Sequence, residues 1–166
     1  MVIGHRTSFL TMKDSDRWGT PQWLYDYYNE RYHFTLDAAA EPLTAKCEHY
    51  YTIEDNCLAQ SWAGETVWLN PPFSNPLPFV FKAVLERHHA TTVMLVRDDC
   101  STKWFKLCLM HATEIIRLQD RLKFIHPDGT EQGNSVANFN NSVIVFGPHR
   151  GDELKHSYLD LKGLQK

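Results

Sequence analysis

The sequence has few cysteines, no long apolar run and no excess of positive charge. Its four cysteines are too few for a disulfide scaffold and too far apart for a paired Cys-x-x-Cys zinc site, so we expect reduced thiols. The nine histidines include no His-x-x-x-His pair, and we predict no bound metal. Because no apolar run approaches the roughly 18 residues that span a bilayer, we expect a soluble intracellular protein with no membrane contact.

Charge is unevenly distributed along the chain. The net charge of −3 argues against a protein that coats nucleic acid nonspecifically, since such binding relies on Lys and Arg neutralising phosphates. Residues 26–65 carry a balance of −6, whereas residues 97–126 carry +2. The acidic part suits a cationic small ligand and the basic part suits a polyanion. Solvated surface explains the same numbers equally well.

The 166 residues are expected to form one domain with its own core. The chain is 43% hydrophobic, has no internal repeat and shows no composition shift that would mark a linker. Helical and strand patterns alternate along it, which predicts a three-layer α/β fold. The expected strands lie at 33–37, 66–70, 91–97, 114–118, 121–125 and 142–147, and the expected helices at 78–89, at 102–111 and from Thr20-Pro21 onward.

Two details of this predicted fold concern its ends. The Thr20 hydroxyl is expected to cap the first helix, with Pro21 at its first helical position. The strands at 121–125 and 142–147 are expected to pair as a terminal antiparallel hairpin. Since α/β sheets bind ligands beyond the carboxyl ends of their strands, Asp37, Asn70 and Arg97 become candidate site residues.

The most specific feature is Asn70-Pro71-Pro72-Phe73, directly after an apolar strand. An exocyclic amine on adenine is a poor nucleophile because its lone pair is delocalised into the ring. Acceptors from the Asn70 side chain and the Pro71 main chain would favour a pyramidal nitrogen, and Phe73 would stack on a base flipped out of duplex DNA. The alternative is a simple turn whose Phe73 fills the core.

With this motif the chain resembles the amino-methyltransferases that use S-adenosylmethionine, and in particular the phage-type DNA N6-adenine methyltransferase (Dam) family. The resemblance covers about residues 18–147 of a single domain, 1–166. Its further motifs are Trp18-Gly19-Thr20-Pro21, Leu36-Asp37-Ala38-Ala39-Ala40, Cys47 with Tyr50-Tyr51, Trp62, Val67-Trp68-Leu69 and Arg121-Leu122-Lys123-Phe124. It implies an abbreviated Rossmann-like methyltransferase fold.

The resemblance also implies where the cofactor binds. Thr20-Pro21 would approach the methionine end of S-adenosylmethionine, and Asp37, followed by Ala38, would pair with the cofactor's amino group. Asp55 would accept a hydrogen bond from the cofactor adenine. The alternatives are that Asp37 caps a turn and that Asp55 is a solvated loop carboxylate.

The sequence departs from the general methyltransferase pattern in two ways. Ala38-Ala39-Ala40 stands where glycines usually let the backbone approach the cofactor, and only about 33 residues separate Asp37 from Asn70. The second and third strand units must therefore be abbreviated. The identity of the acidic residue that would hold the ribose hydroxyls therefore stays open, and Glu41 and Glu48 are the candidates.

DNA would need a surface besides the catalytic pocket. The candidates for phosphate contacts are Lys103, Lys106, Arg121 and Lys123, and residues 126–141 offer Asn and Gln to read base edges. The alternative is a surface helix with a disordered loop. A chain of this length has little room for a separate target-recognition domain.

The resemblance implies a site-specific DNA N6-adenine methyltransferase, a phage or prophage product in the bacterial cytoplasm. Two alternatives stay open. Related pockets methylate the amide nitrogen of protein glutamine, and a catalytically silent nucleic-acid-binding module would keep the fold without turnover. The intact motif from Asn70 to Phe73 weighs against the silent module.

Overall fold

Six strands form one mixed sheet in the computed structural model, which describes residues 13–130, 136–148 and 151–164. Within these residues the spatial order is β1-β2-β3-β5-β4-β6. β1, β2 and β3 run parallel, β5 is antiparallel to β3 and β4, and β6 is parallel to β4. The strands are β1 (Leu36–Asp37), β2 (Thr66–Leu69), β3 (Thr91–Arg97), β4 (Glu114–Gln119), β5 (Asn141–Phe146) and β6 (Lys155–Asp160).

The centre of the sheet is buried on both faces. Thr92 to Val96 in β3 and all of β5 are buried, which fits the nearly continuous apolar run that predicted β3. Residue Val93 pairs with Val145 on one side and with Trp68 on the other. The β-branched residues therefore form the middle of the core.

Helices cover both faces of the sheet. They are α1 (Gln22–Tyr32), α2 (Leu77–Glu86) and α3 (Lys103–His111). Phe79 of α2 and Phe105 of α3 belong to one core cluster, and Leu24 of α1 belongs to the other, together with Trp68. The predicted three-layer α/β architecture is confirmed.

The predicted cap of the first helix is wrong. Helix α1 begins at Gln22, so Pro21 precedes it and makes no side-chain cap. The main-chain carbonyl of Pro21 accepts from the amide of Leu24 at 3.1 Å. The Thr20 hydroxyl is buried and caps nothing.

The predicted pairing of 121–125 with 142–147 is also wrong. Residues 121–124 form no strand, and Ile125 pairs only in an isolated bridge with Gly19. Leu122 and Phe124 alternate into the core, and that alternation mimicked a strand. The partners of β5 are β3 and β4. Strand β6, which has mostly polar residues and lies at the sheet edge, was not predicted.

The strand directions bring several loops to one edge of the sheet. β1, β2, β3 and β4 all end there, and the antiparallel strand β5 begins there, with Asn141 opposite Arg97. Residues 120–126 and 136–140 therefore lie at the same edge as Asp37 and Asn70. No described helix is long and apolar enough to cross a membrane.

Candidate active site

A cavity of about 280 Å³ lies at the carboxyl ends of β1 and β2. The residues around it come from the turn before α1, the segment after β1, residues 52–58 and the segment after β2. They include Asp16, Arg17, Trp18, Gly19, Thr20, Asp37, Ala38, Ala39, Ala40, Glu41, Thr44, Lys46, Glu54, Asn56, Trp68, Asn70, Pro72 and Phe79. The structure thus brings Thr20, Asp37 and Asn70 together, although 50 residues of sequence separate the first from the last.

Asp37 places a buried carboxyl group at this cavity. Asp37 is only 3% exposed. Its carboxylate accepts hydrogen bonds from the main-chain amides of Lys46 at 3.0 Å and Ala39 at 3.4 Å. Burial raises the pKa of Asp37 to about 6, and these two hydrogen bonds partly oppose that rise. The bond to Ala39 is a local turn interaction. A buried carboxylate in a cavity also favours a cationic ligand, because the ligand's charge would offset its desolvation.

Two other polar atoms at the cavity are buried and lack partners among the described residues. They are Oγ1 of Thr20 and Oδ1 of Asn70. Buried polar groups are normally hydrogen-bonded, so each of these oxygens has capacity for a ligand's donor. This observation fits ligands that carry N–H donors, such as an ammonium group or an exocyclic amine.

The Asn70 side chain is held in one orientation. Its Nδ2 donates to the main-chain carbonyl of Trp18 at 2.8 Å. Because the amide nitrogen is engaged in this way, the oxygen is the free end of the group. Pro71 and Pro72 restrict the backbone that follows, and Pro72 also lines the cavity.

Phe73 packs into an aromatic cluster. Its ring meets Phe124 edge-on at a centroid distance of 5.1 Å and Phe139 at 5.2 Å. Phe73 is half-buried and contributes to the core on the α1 side of the sheet. The stacking role and the core role predicted as alternatives are therefore compatible, since the ring belongs to the core and also lines a cavity.

A second cavity, of about 620 Å³, adjoins the first. Asp16 and Trp18 line both cavities, and the guanidinium of Arg97 lies 4.5 Å from the ring centroid of Phe139 in the second. Its lining residues are Lys13, Asp16, Trp18, Phe73, Ser74, Arg97, Val136, Ala137, Asn138 and Phe139. The segment from Asn70 to Ser74 therefore separates two cavities, one with a buried carboxylate and one with aromatic walls.

The acidic residues expected near the cofactor are placed differently from one another. The Asp55 carboxylate accepts from the amide and hydroxyl of Thr52 at 2.8 and 2.9 Å, which lowers its pKa, and Asp55 does not line the described cavity. Glu54, the preceding residue, does line this cavity. Glu41 also lines the cavity and pairs with Arg17 at 2.8 Å, whereas Glu48 is exposed and lies outside the lining.

Small side chains line the cavity after β1, where glycines were expected, and a tight backbone contact occurs at Gly19. Ala38 donates its amide to the carbonyl of Trp68 at 3.0 Å, and the three alanines line the cavity with small side chains. Gly19 lies against Thr44 so closely that a Cβ at position 19 would come within 3.2 Å of the Thr44 Cβ. A side chain at position 19 would therefore require Thr44 to shift by a few tenths of an ångström.

The basic residues predicted to contact DNA lie outside both described cavities. Lys103 and Lys106 are exposed on α3, and Arg121 and Lys123 are exposed on the segment after β4. Lys123 directly precedes Phe124, whose ring packs on Phe73 of the second cavity. Lys123 therefore lies near that cavity. No described group of three or more His, Cys, Asp or Glu residues could hold a metal ion.

Sequence reasoning gave no site role to Asp16, Phe139 or the carbonyl of Trp18. Trp18 belongs to a motif that the analysis did single out, but its main-chain contact with Asn70 spans 52 residues and leaves no local signal. Arg97 was marked only by its position at a strand end. Its contact with Phe139 depends on the chain returning through β5.

Known proteins of one family are similar to this chain over most of its length. Residues 7–165 match the family model described as DNA N-6-adenine-methyltransferase (Dam). The chain is 36% identical over 159 residues to the DNA N-6-adenine-methyltransferase of Haemophilus phage HP1, covering 92% of this chain and 91% of that protein. It is 38% identical over 153 residues to the DNA N-6-adenine-methyltransferase of Escherichia phage T1, covering 88% of this chain and 61% of that protein. A 65-residue segment is 37% identical to the putative methyltransferase YfdM of Escherichia coli K12, covering 35% of this chain and 71% of that protein.

Proposed function

Because this chain belongs to the DNA N-6-adenine-methyltransferase (Dam) family, we propose that it transfers a methyl group from S-adenosylmethionine to the N6 amine of a flipped adenine in DNA. The observation that carries this proposal is the oxygen of Asn70. It is buried and has no partner among the described residues; Asn70 lines the first cavity, and Trp18, which holds its amide, lines both cavities. An amine hydrogen would satisfy this oxygen.

The first cavity is the proposed cofactor site. S-adenosylmethionine supplies an electrophilic methyl group on a sulfonium and also carries an ammonium group. The buried Asp37 carboxylate offers a counter-charge for the ammonium, and Thr20 Oγ1 offers a free hydrogen-bonding group. The acidic stretch from 26 to 65 surrounds this part of the chain, which favours a cationic ligand.

The chemistry that the chain contributes is the placement of acceptors. Asn70 Oδ1 and the Pro71 carbonyl would each accept a hydrogen of the adenine amine, which favours a pyramidal nitrogen with an available lone pair. The Trp18 carbonyl holds the Asn70 amide so that its oxygen is preorganised for this contact. No part of this step needs Asn70 to change its charge.

The second cavity is the proposed base site. Phe73 and Phe139 give it aromatic walls, and the Arg97 guanidinium adds a second flat group stacked on Phe139. Aromatic rings and planar guanidinium groups are surfaces on which an extruded purine can stack. The exposed Lys103, Lys106, Arg121 and Lys123 are proposed to contact phosphates of the surrounding DNA.

The decisive test is nucleoside mass spectrometry of DNA from cells that express the protein. We expect N6-methyladenine with the parent protein and its near-complete loss with Asn70→Ala at equal expression. Cofactor binding without methylated DNA would favour the glutamine-amide alternative. Binding to DNA without any methyl transfer would favour the silent module.

A further inference from the structure

Four consecutive residues before α1, Asp16 to Gly19, each contact a residue that is distant in the sequence. We call this segment the strap. Asp16 bonds to Ser74, Arg17 to Glu41, the Trp18 carbonyl to Asn70, and Gly19 pairs with Ile125. The strap thus connects the segment Asn70–Ser74, the catalytic loop, with residues 38–44, the cofactor loop.

The contact between Asp16 and Ser74 is specific in its geometry. Asp16 Oδ1 accepts from the main-chain amide of Ser74 at 2.8 Å, and Oδ2 accepts from the Ser74 hydroxyl at 2.5 Å. Both carboxylate oxygens are therefore committed to one residue that is 58 positions away. Ser74 is the last residue of the catalytic loop and lines the second cavity.

The two ends of the catalytic loop are consequently held by the same short segment. Trp18 fixes the side chain of Asn70 at the first end, and Asp16 fixes the backbone of Ser74 at the other. The prolines at 71 and 72 restrict the residues between these anchors. Asp16 also lines both cavities, so its carboxylate stands at their common wall.

On the other side, the strap is attached to the proposed cofactor site. The Arg17 guanidinium makes two contacts with the Glu41 carboxylate, at 2.8 and 3.2 Å. Glu41 follows the three alanines that line the first cavity. The two-point geometry defines an orientation as well as a distance.

We propose that Asp16 is a positioning residue for methyl transfer, which holds the catalytic loop in register with the cofactor loop through the strap. This inference rests on the proposed function for the identity of the two ligands. It adds a role for a residue that neither accepts the amine hydrogens nor pairs with the cofactor's charge. Small errors in such alignment are costly, since a displacement of about 1 Å lowers rates by roughly 100-fold.

A purely structural role for Asp16 makes a different prediction. The contact is exposed, and exposed polar contacts contribute little to the free energy of unfolding. Losing it should therefore leave the protein folded. If Asp16 only closed a surface turn, its removal would also leave the rate of the folded protein unchanged.

The test compares Asp16→Ala, Asp16→Asn, Ser74→Ala and the double variant Asp16→Ala/Ser74→Ala with the parent. Asn at position 16 keeps an oxygen for the Ser74 amide and gains a donor for the hydroxyl, so it serves as the conservative variant. The matched control is Asp99→Ala. Asp99 likewise accepts from the amide and hydroxyl of a serine, Ser101, but lines neither described cavity.

Three measurements are made on each variant. They are single-turnover transfer of labelled methyl to unmethylated genomic DNA, calorimetric affinity for S-adenosylmethionine, and hydrogen exchange of the Ser74 amide. For Asp16→Ala we expect a rate about 10- to 100-fold lower, a cofactor affinity within about twofold of the parent, and faster exchange at Ser74. Asp16→Asn should restore most of the rate.

The double variant tests whether Asp16 acts through Ser74. Asp16→Ala already removes both hydrogen bonds to Ser74, so the further loss of the Ser74 hydroxyl should leave the double variant no slower than Asp16→Ala. Asp99→Ala should match the parent in all three measurements.

A folded Asp16→Ala protein that transfers methyl at the parent rate would overturn the inference. So would a rate loss that follows the folded fraction in thermal unfolding. If the parent itself methylates no DNA, the proposed function fails. The exchange rate of the Ser74 amide with and without Asp16 then still decides whether the strap holds the loop.

Discussion

Asn70 and Trp18 are joined by a hydrogen bond that determines which end of the Asn70 amide is available. Nδ2 of Asn70 donates to the Trp18 carbonyl at 2.8 Å. In the opposite orientation, two oxygens would face each other with no hydrogen between them. The Asn70 oxygen is therefore directed away from Trp18, and it is buried without a partner among the described residues.

Removing this oxygen should slow the chemical step. In Asn70→Ala the Pro71 carbonyl and the ring of Phe73 remain, so cofactor and DNA should still bind while methyl transfer falls by about 100-fold or more. Single-turnover rates and calorimetry measure the two effects separately. Asn75→Ala, an exposed neighbour outside the described cavities, is the control. A folded Asn70→Ala protein with the parent rate would refute the mechanism.

Phe73→Ala should weaken binding of the adenine base, whereas Asn70→Ala should slow the chemical step. Loss of a stacking ring costs about 1–3 kcal/mol per base, which should weaken binding of the extruded adenine. Because the ring also packs on Phe124 and Phe139, the melting temperature should fall as well. Phe73→Leu keeps much of the apolar volume and should recover stability better than base binding. Fluorescence of 2-aminopurine at a target position reports base flipping, and an unchanged signal in Phe73→Ala would contradict the base-site assignment.

Asp37→Ala should weaken binding of S-adenosylmethionine by tenfold or more. A charge-assisted hydrogen bond contributes roughly 1.5–3 kcal/mol, and this carboxylate is almost fully buried. Isothermal calorimetry at pH 7.5 measures the change, and circular dichroism checks that the variant is folded. Unchanged affinity in a folded variant would remove Asp37 from the cofactor site.

The raised pKa of Asp37 predicts how cofactor affinity depends on pH. Without ligand the carboxyl group has a pKa of about 6, and a bound ammonium would lower that value. The cofactor should therefore bind with proton release near pH 5 to 6, and its affinity should decrease as the pH falls below about 6. Calorimetry in buffers of different ionisation enthalpy detects the proton, and Asp37→Asn should abolish its release.

The raised pKa of Asp37 makes the stability of the ligand-free protein change with pH in the opposite direction to cofactor affinity. Burial raises the pKa of Asp37 above its value of 3.8 in an unfolded chain, so the folded state holds this proton more tightly. The contribution of Asp37 to the free energy of unfolding should fall as the pH rises from about 4 to about 6, and should stay constant above that. Urea unfolding of the parent and Asp37→Asn at pH 5 and 7 measures the difference. Parallel curves at both pH values would show that the carboxyl is not buried as described.

Lys103, Lys106, Arg121 and Lys123 should act through phosphates. Neutralising a true contact should weaken binding to all DNA sequences similarly and reduce the slope of log affinity against log salt by about one. Fluorescence anisotropy at several salt concentrations measures this slope. If all four single variants keep the parent slope, these residues are solvated surface and DNA binds elsewhere.

Local patterns in the sequence were sufficient for much of the fold. The apolar run at 91–97 predicted β3 because a strand buried on both faces needs apolar side chains in both directions. Asn70-Pro71-Pro72-Phe73 was recognisable because its residues are contiguous and its prolines restrict the backbone directly. Asp37 was located by its position at the end of a short strand.

Patterns failed where a local signal had two meanings. Leu122 and Phe124 alternate as in a strand, yet residues 121–124 belong to no strand: the Leu122 carbonyl accepts from the Ala137 amide at 2.9 Å, and Ile125 forms an isolated bridge with Gly19. β6 was missed because it is an edge strand whose inner face carries only the half-buried Ser157 and Leu159, and a single apolar side chain on that face gives too little periodicity to identify a strand.

The sequence by itself therefore determined the chemical groups, while the tertiary structure decided their partners. The oxygen of Asn70 is a candidate acceptor from its motif alone, but its direction depends on the carbonyl of Trp18, 52 residues earlier. The bond between Asp16 and Ser74 likewise joins the segment before α1 to the segment after β2, 58 positions later in the chain, and no local pattern indicates it. Residue type and spacing report what a short segment can do, whereas contacts between distant segments depend on how the whole sheet is assembled.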